Sequence, residues 1–352
     1  MAINVDLLRR LCQAPGIASR EEAVARVVVE ELGPLVDEIR SDALGNVIAV
    51  KRGQGGPRIM LAAHMDEIGF LVRYIDDKGF LRLHPLGGFD GRALFAQRVH
   101  VHTREGTPLR GVLGSAAKPI HLLKGEKPDA PALEDYFVDL GLSVEAVKAR
   151  VRVGDMVTMD RATEEVGDCV TSKALDDRVG VFVMIEALRN LRAHTAEVVA
   201  VATVQEEVGL RGATPAGYTI EPDIAVAIDG TLALDVPGTE ERDVITRVGG
   251  GAAIKILDGS LICDPRIVDA FRAIAEREGI PHQMEILPAG GTDAGGIQRV
   301  RAGVPSFTLS IPTRYVHTVD ELVGTADVEA CYTLLARFLE QAQDFEIVES
   351  RK

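Results

Sequence analysis

EVVAVATVQEE (197–207) and DIAVAID (223–229) are two continuous apolar runs, each ending in acids. A run without polar alternation fits a strand buried on both faces, as in a sheet covered by helices on each side. Ala174 to Arg192 carries a helical pattern, with Val179, Phe182, Val183, Leu188 and Leu191 at its apolar positions. Helices near 264–279 and 325–343 alternate with strands near 282–287 and 304–310, and IMLAAH (59–64) reads as a strand of the same sheet. The alternation predicts an α/β fold, an α/β/α sandwich with a mostly parallel or mixed sheet.

Upstream, Val5–Gln13 is a helix candidate. Ser19 followed by Glu22 looks like a capping box that opens a second helix, which Gly33-Pro34 ends. From 69 to 168 the style changes to short strands such as GFLVRYI (69–75) and RVHVHT (98–103), separated by glycine-rich turns. The expected organisation is one α/β domain (1–68 and 169–352) interrupted by a β-rich insert (69–168).

The chain has 352 residues, and 53 acids against 39 Lys and Arg give a net charge of −14. That surplus repels a phosphate backbone, so nucleic acid is not an expected partner. Trp is absent and aromatics are 4%, which disfavours a sugar groove built on stacking. No apolar run reaches the roughly 18–20 residues of a membrane span. Cys12, Cys169, Cys263 and Cys331 lie far apart and read as reduced thiols of a cytoplasmic protein. The sequence holds no GxSxG, HExxH or P-loop, and the glycines at 249–251, 290–291 and 295–296 form no GxGxxG.

What remains is a set of acids and histidines at the carboxyl ends of the expected strands. His64 and Asp66 follow IMLAA, Glu206 and Glu207 follow AVATVQ, and Asp229 ends AVAID. Asp176-Asp177 open the long helix, and His317 follows the last strand. Ligands of open α/β sheets gather at that rim. Crowded carboxylates repel one another, and two divalent cations remove the penalty. Nitrogen and oxygen donors suit Zn²⁺, Co²⁺ or Mn²⁺. One further carboxylate must stay off the metals to take a proton from water, and Glu206-Glu207 fits such a division of labour.

Each residue also has a plainer explanation. A single histidine at a strand end is usually a satisfied polar group. Asp176-Asp177 could cap the helix, since acids are favoured at a helix N-terminus. Glu206-Glu207 could be a solvated turn. His100 and His102 alternate on one strand face as an HxH pair, but without evident carboxylate partners. The argument for a metal site is the joint placement.

AHMDEIGF (63–70), ALDDRVG (174–180), VQEEVGLRGA (204–213), AID (227–229), GGTDAG (290–295) and YVHT (315–318) resemble, in order and spacing, the motif series of the M42 dinuclear metallo-aminopeptidases. The resemblance covers nearly the whole chain. It implies a catalytic α/β domain with an inserted, barrel-like β dimerisation domain. It also implies His64, Asp176 and Asp229 on one metal, with Asp176, Glu207 and His317 on the second and Asp176 as the bridge. Glu206 matches the general base, and Asp66 matches the acid that orients His64. Members commonly build dimers that assemble into a tetrahedral dodecamer; some are labelled glutamyl aminopeptidase or endoglucanase, and the scarce aromatics argue against the second label here. Phe89 in GGFDGRA departs from the family's more usual Trp.

The activity implied is removal of the N-terminal residue from short peptides. Two rivals stay open at this point: a related di-metal deacylase or carboxypeptidase-like hydrolase, and a non-catalytic protein with structural metal. GGTDAG, Arg314 and Tyr315 are expected near the first specificity pocket.

Overall fold

A computed structural model describes residues 3–116, 118, 120–123 and 131–344. Its main sheet has eleven strands. Along the sheet they run Glu38–Ser41, Val47–Lys51, Glu197–Thr203, Arg58–His64, Ile224–Leu232, Ser306–Arg314, Glu321–Gly324, Cys169–Ser172 and Glu164–Val166. Ala252–Leu257 joins beside Ser306–Arg314 and carries His282–Ile286.

The centre is the four-strand block Glu197–Thr203, Arg58–His64, Ile224–Leu232 and Ser306–Arg314, all mutually parallel. Their apolar runs are buried on both faces because helices lie on each side. Ile59, Leu61, Val198, Ala200 and Val226 pack with the helices Val5–Gln13, Glu22–Leu32, Leu175–Asn190, Pro265–Glu278 and Thr325–Gln341. The alternate residues Met60, Ala62, Val199, Val201 and Ala225 pack with Ala213–Ile220 and Ile297. This is the expected α/β/α sandwich. Each of the larger of these side chains (Val, Leu, Ile, Met), fully buried, contributes roughly 1.5–3 kcal/mol, so the block is a rigid platform for its rim.

Strands Gly69–Ile75, Leu81–Leu86, Tyr136–Asp139, Leu109–Ser115, Arg98–His102 and Met156–Met159 close into a six-stranded barrel. The barrel has its own core of Phe70, Val72, Leu81, Val99, Val101, Val138 and Val157. Val319, from the segment after His317, packs into that core and ties barrel to rim. Phe89 stacks on Phe70 with ring centroids 4.3 Å apart. Among the described residues, no helix is long and apolar enough to cross a membrane.

The second helix corrects the expected capping box. It runs Glu22–Leu32 with Glu21 at the N-cap and no side-chain cap. Ser19 sits at φ 71°, and its N–H donates to Glu21 Oε1. Glu21 also accepts the N–H of Gln205, so the acid is spent on long-range positioning rather than on its own helix. The HxH pair is not a metal site either. His102 bonds Thr158 Oγ1, and Asp160, 3.8 Å from His100, is shared with Arg98 and Arg110.

Candidate metal centre and active site

The parallel register brings the strand ends together. His64 lies opposite Thr203, the last residue of its neighbour, and Asp229 lies opposite Ser310. Beyond Thr203 the chain turns through Gln205 at φ 57°, which frees Glu206 and Glu207 from strand alternation. Both then line the same cavity, of about 510 Å³, with His64, Asp176, Asp229 and His317.

Asp176 stands in the middle. Its Oδ1 is 3.1 Å from His64 Nε2 and its Oδ2 is 3.4 Å from His317 Nε2. His317 Nε2 is also 3.4 Å from Glu207 Oε1. Donor atoms of His64, Asp176 and Glu207 lie within 4.8 Å of one another, as do those of His64, Asp177 and Asp229. Glu206 is in neither group, though its Oε2 is 3.9 Å from His64 Nε2.

Backbone geometry explains the Asp176-Asp177 division. Neither residue has helical dihedrals. Asp177 Oδ1 accepts the N–H of Gly180, which is an N-cap bond to the helix that follows, and Oδ2 accepts the N–H of His64. The capping interpretation therefore describes Asp177, while Asp176 faces the two histidines.

Asp66 sits under the cluster, fully buried. Its carboxylate accepts the N–H groups of Glu206 (2.9 Å) and Glu207 (3.1 Å). His64 Nδ1 donates to the Asp66 main-chain carbonyl at 2.9 Å, and the carboxylate is 3.6 Å away. A carbonyl only accepts, so Nδ1 carries a proton and Nε2 is the nitrogen that faces the cavity.

The charges are poorly compensated. Burial, reinforced by Asp229, Asp293 and Glu207, holds Glu206 well above the usual carboxylate range. Burial likewise lifts Asp229, with Asp176 adding to it, and pushes Glu207 up to about 7. Burial alone would depress the histidines, yet Glu206, Asp176 and Asp66 hold His64 well above its ordinary value. Asp176 and Glu207 likewise raise His317 to about 10. Burial also opposes the ionised form of Asp176, but His317 and His64 keep that acid low. Glu207 Oε1 is buried without a hydrogen-bond partner. Imidazole nitrogen, carboxylate oxygen and an orphaned buried acceptor together fit divalent metal.

Four supporting residues were not among the expected site residues. Glu321 Oε2 accepts the N–H of Asp176, and its Oε1 accepts that of His317. Asp293 bonds Thr203 Oγ1 and leaves Oδ1 unpartnered. Asp177 and Glu21 complete the group. Asp177 had a local signal in its adjacency to Asp176, and Asp293 in its place within GGTDAG. The barrel also reaches the site. Gly88 lines the cavity, and at Gly87 (φ 84°) a Cβ would lie 2.8 Å from Glu207 Oε2 and 2.5 Å from Ile68. Gly290, Gly291 and Thr292 line the cavity, but Arg314 and Tyr315 do not; Arg314 is bound to Asp235.

A parallel α/β platform with an acid-and-histidine rim and an inserted barrel fits a hydrolase, and the relatives place it in the aminopeptidase class. The profile of the M42 glutamyl aminopeptidases matches residues 45–334. The chain belongs to the M42 family. It is 41% identical over 331 residues to a putative aminopeptidase of Acetivibrio thermocellus, covering 94% of this chain and 96% of the relative. It superposes on an aminopeptidase from the archaeon Desulfurococcus kamchatkensis with TM-score 0.94 and 43% identity, covering 99% and 97% of the two chains. The Pyrococcus horikoshii TET1 peptidase, which can assemble into a tetrahedron or a large octahedral shell, matches with TM-score 0.84 and 34% identity, over 95% and 98%.

Proposed function

We propose that this enzyme is a metal-dependent aminopeptidase that removes the N-terminal residue from short peptides, with Glu206 as general base. The observation that carries the mechanism is the position of Glu206. It lines the cavity beside the cluster yet belongs to neither donor group. A non-catalytic metal site would need no such spare carboxylate.

His64, Asp176 and Asp229 would hold one divalent ion, and Asp176, Glu207 and His317 the second, with Zn²⁺ or Co²⁺ the foremost candidates and Mn²⁺ a third. Asp177, close to His64 and Asp229, supports the first position from beneath. When bound, the ions supply polarisation of the scissile carbonyl and acidification of the attacking water. Glu206 takes the proton of that water and returns it to the departing amine. Asp66 and Glu321 hold the backbones of Glu206, Glu207, Asp176 and His317, so the donors stay in place through the cycle.

The chain's likeness to TET1 supports dimers building a larger shell, with the barrel (69–168) as the dimerising insert and 1–68 with 169–352 as the catalytic domain. The four cysteines are all free, in keeping with a cytoplasmic setting. The test is turnover by metal-stripped protein reloaded with Zn²⁺, Co²⁺ or Mn²⁺. Aminoacyl-anilides should be cleaved, while N-acyl amino acids should not. The reverse preference would move the enzyme to the deacylases.

A further inference from the structure

The cavity has two chemically different halves. Every titratable residue lining it belongs to the cluster: His64, Asp176, Glu206, Glu207, Asp229 and His317. The remaining wall is Leu210, Leu232, Leu287, Ala289 and Val316, with glycines and two threonines between them. The threonine hydroxyls are engaged inside the wall. Thr231 donates to Glu285, and Thr292 bonds Asp258 and Thr308. Behind Thr231, Lys255 is fully buried and paired with Glu285, so its charge is not presented to the cavity.

We infer that the neutral wall is the subsite for the substrate's first side chain and that it selects an uncharged aliphatic one over Glu or Lys. The inference rests on the aminopeptidase reading. Chain geometry places the wall beside the reacting bond. Leu232 is three residues beyond Asp229 on one strand, Val316 precedes His317, and Leu210 follows Glu206 by one tight turn. A peptide whose amine and carbonyl rest on the cluster must project its first side chain against these residues. An ionised side chain against this wall would lose water and find no charged partner in the wall itself, whereas a leucine would gain apolar contact. The glutamyl preference in the family's description requires a cation in this wall, and among the described residues none lines it.

The test is kcat/KM of the metal-loaded full chain on Leu-, Ala-, Glu- and Lys-anilides. Leu should exceed Ala by at least ~10-fold, and Glu and Lys by ~100-fold or more. Leu287→Asp should raise the Lys-to-Leu ratio by at least ~10-fold relative to the unaltered enzyme. Turnover that favours Glu or Lys, or a ratio unmoved by Leu287→Asp in a variant that still cleaves Ala-anilide, would overturn this inference alone. Failure of the metal-loaded enzyme on all four anilides would overturn the aminopeptidase reading and this inference with it.

Discussion

Glu67 and Glu206 are acids at the ends of neighbouring parallel strands, and their surroundings are opposite. Glu67 accepts two bonds from Lys173 Nζ, at 2.9 and 2.7 Å, and a third from the N–H of Gly16 at 3.1 Å, and has Arg178 3.8 Å away. Arg178, fully buried, also donates to the carbonyls of Met65, Leu11, Ala14 and Gly16, which stitches the N-terminal helix to the strand end. That network is closed: its one acid, Glu67, faces two cations. Around Glu206, acids outnumber the two histidines and Glu207 keeps an orphaned oxygen. Buried charge without internal partners is stable only when something external completes it. The first region is built to hold the fold and the second to receive ions and substrate.

The sharpest attempt to break this contrast is Glu206→Gln. It should lower kcat by about 10²–10⁴-fold while metal content stays at the unaltered level, measured by single-turnover kinetics and metal analysis. The same change should not destabilise the metal-free protein, because it removes one charge from a crowded group. Lys173→Met is the counterpart in the closed network. Leaving Glu67 buried without its cation should cost about 3–5 kcal/mol in denaturant unfolding, while kcat of the folded fraction is kept. If both substitutions acted alike on stability, the two regions would not differ in kind.

Asp66→Asn comes next. Two N–H groups would compete for one remaining carbonyl acceptor, loosening Glu206 and Glu207 together. Metal affinity should fall by about 10–100-fold with little loss of fold, read by competition against a chelator. The smallest effect belongs to Glu21, lifted to about 7 by burial and then by Asp66. The folded state keeps a proton that the unfolded state has lost, so this contribution is full below the usual carboxylate value and disappears as pH rises through 7. Glu21→Gln retains the acceptor for Ser19 and Gln205 but cannot ionise. The variant should match the parent near pH 5 and exceed it at pH 8 by on the order of 2 kcal/mol. Equal stability at both values would show that Glu21 is held charged in the folded protein.

Much of the contrast was legible before folding. The central strands announced themselves because burial on both faces removes polar alternation. His64, Glu206, Glu207 and Asp229 follow those strands directly, so their meeting at one rim was a matter of topology. Ser19 and Glu22 misled, because a local capping pattern competes with long-range bonds and here Glu21 answers to Gln205. Asp293 stood in GGTDAG and Glu321 four residues after His317, yet neither position announced a role. Asp293 bonds Thr203 and Glu321 reaches Asp176, contacts between segments far apart in sequence.

The sequence by itself determined the α/β/α platform, the family and the acids delivered to the strand ends, since apolar patterning and motif order are properties of the chain. Tertiary structure decided which acid of each pair does what. Asp177 caps its helix while Asp176 faces two histidines, and Asp66 offers His64 its carbonyl while its carboxylate holds the Glu206–Glu207 turn. It also decided that one set of buried charges is paired and the other open, because pairing depends on distances between segments that lie more than a hundred residues apart.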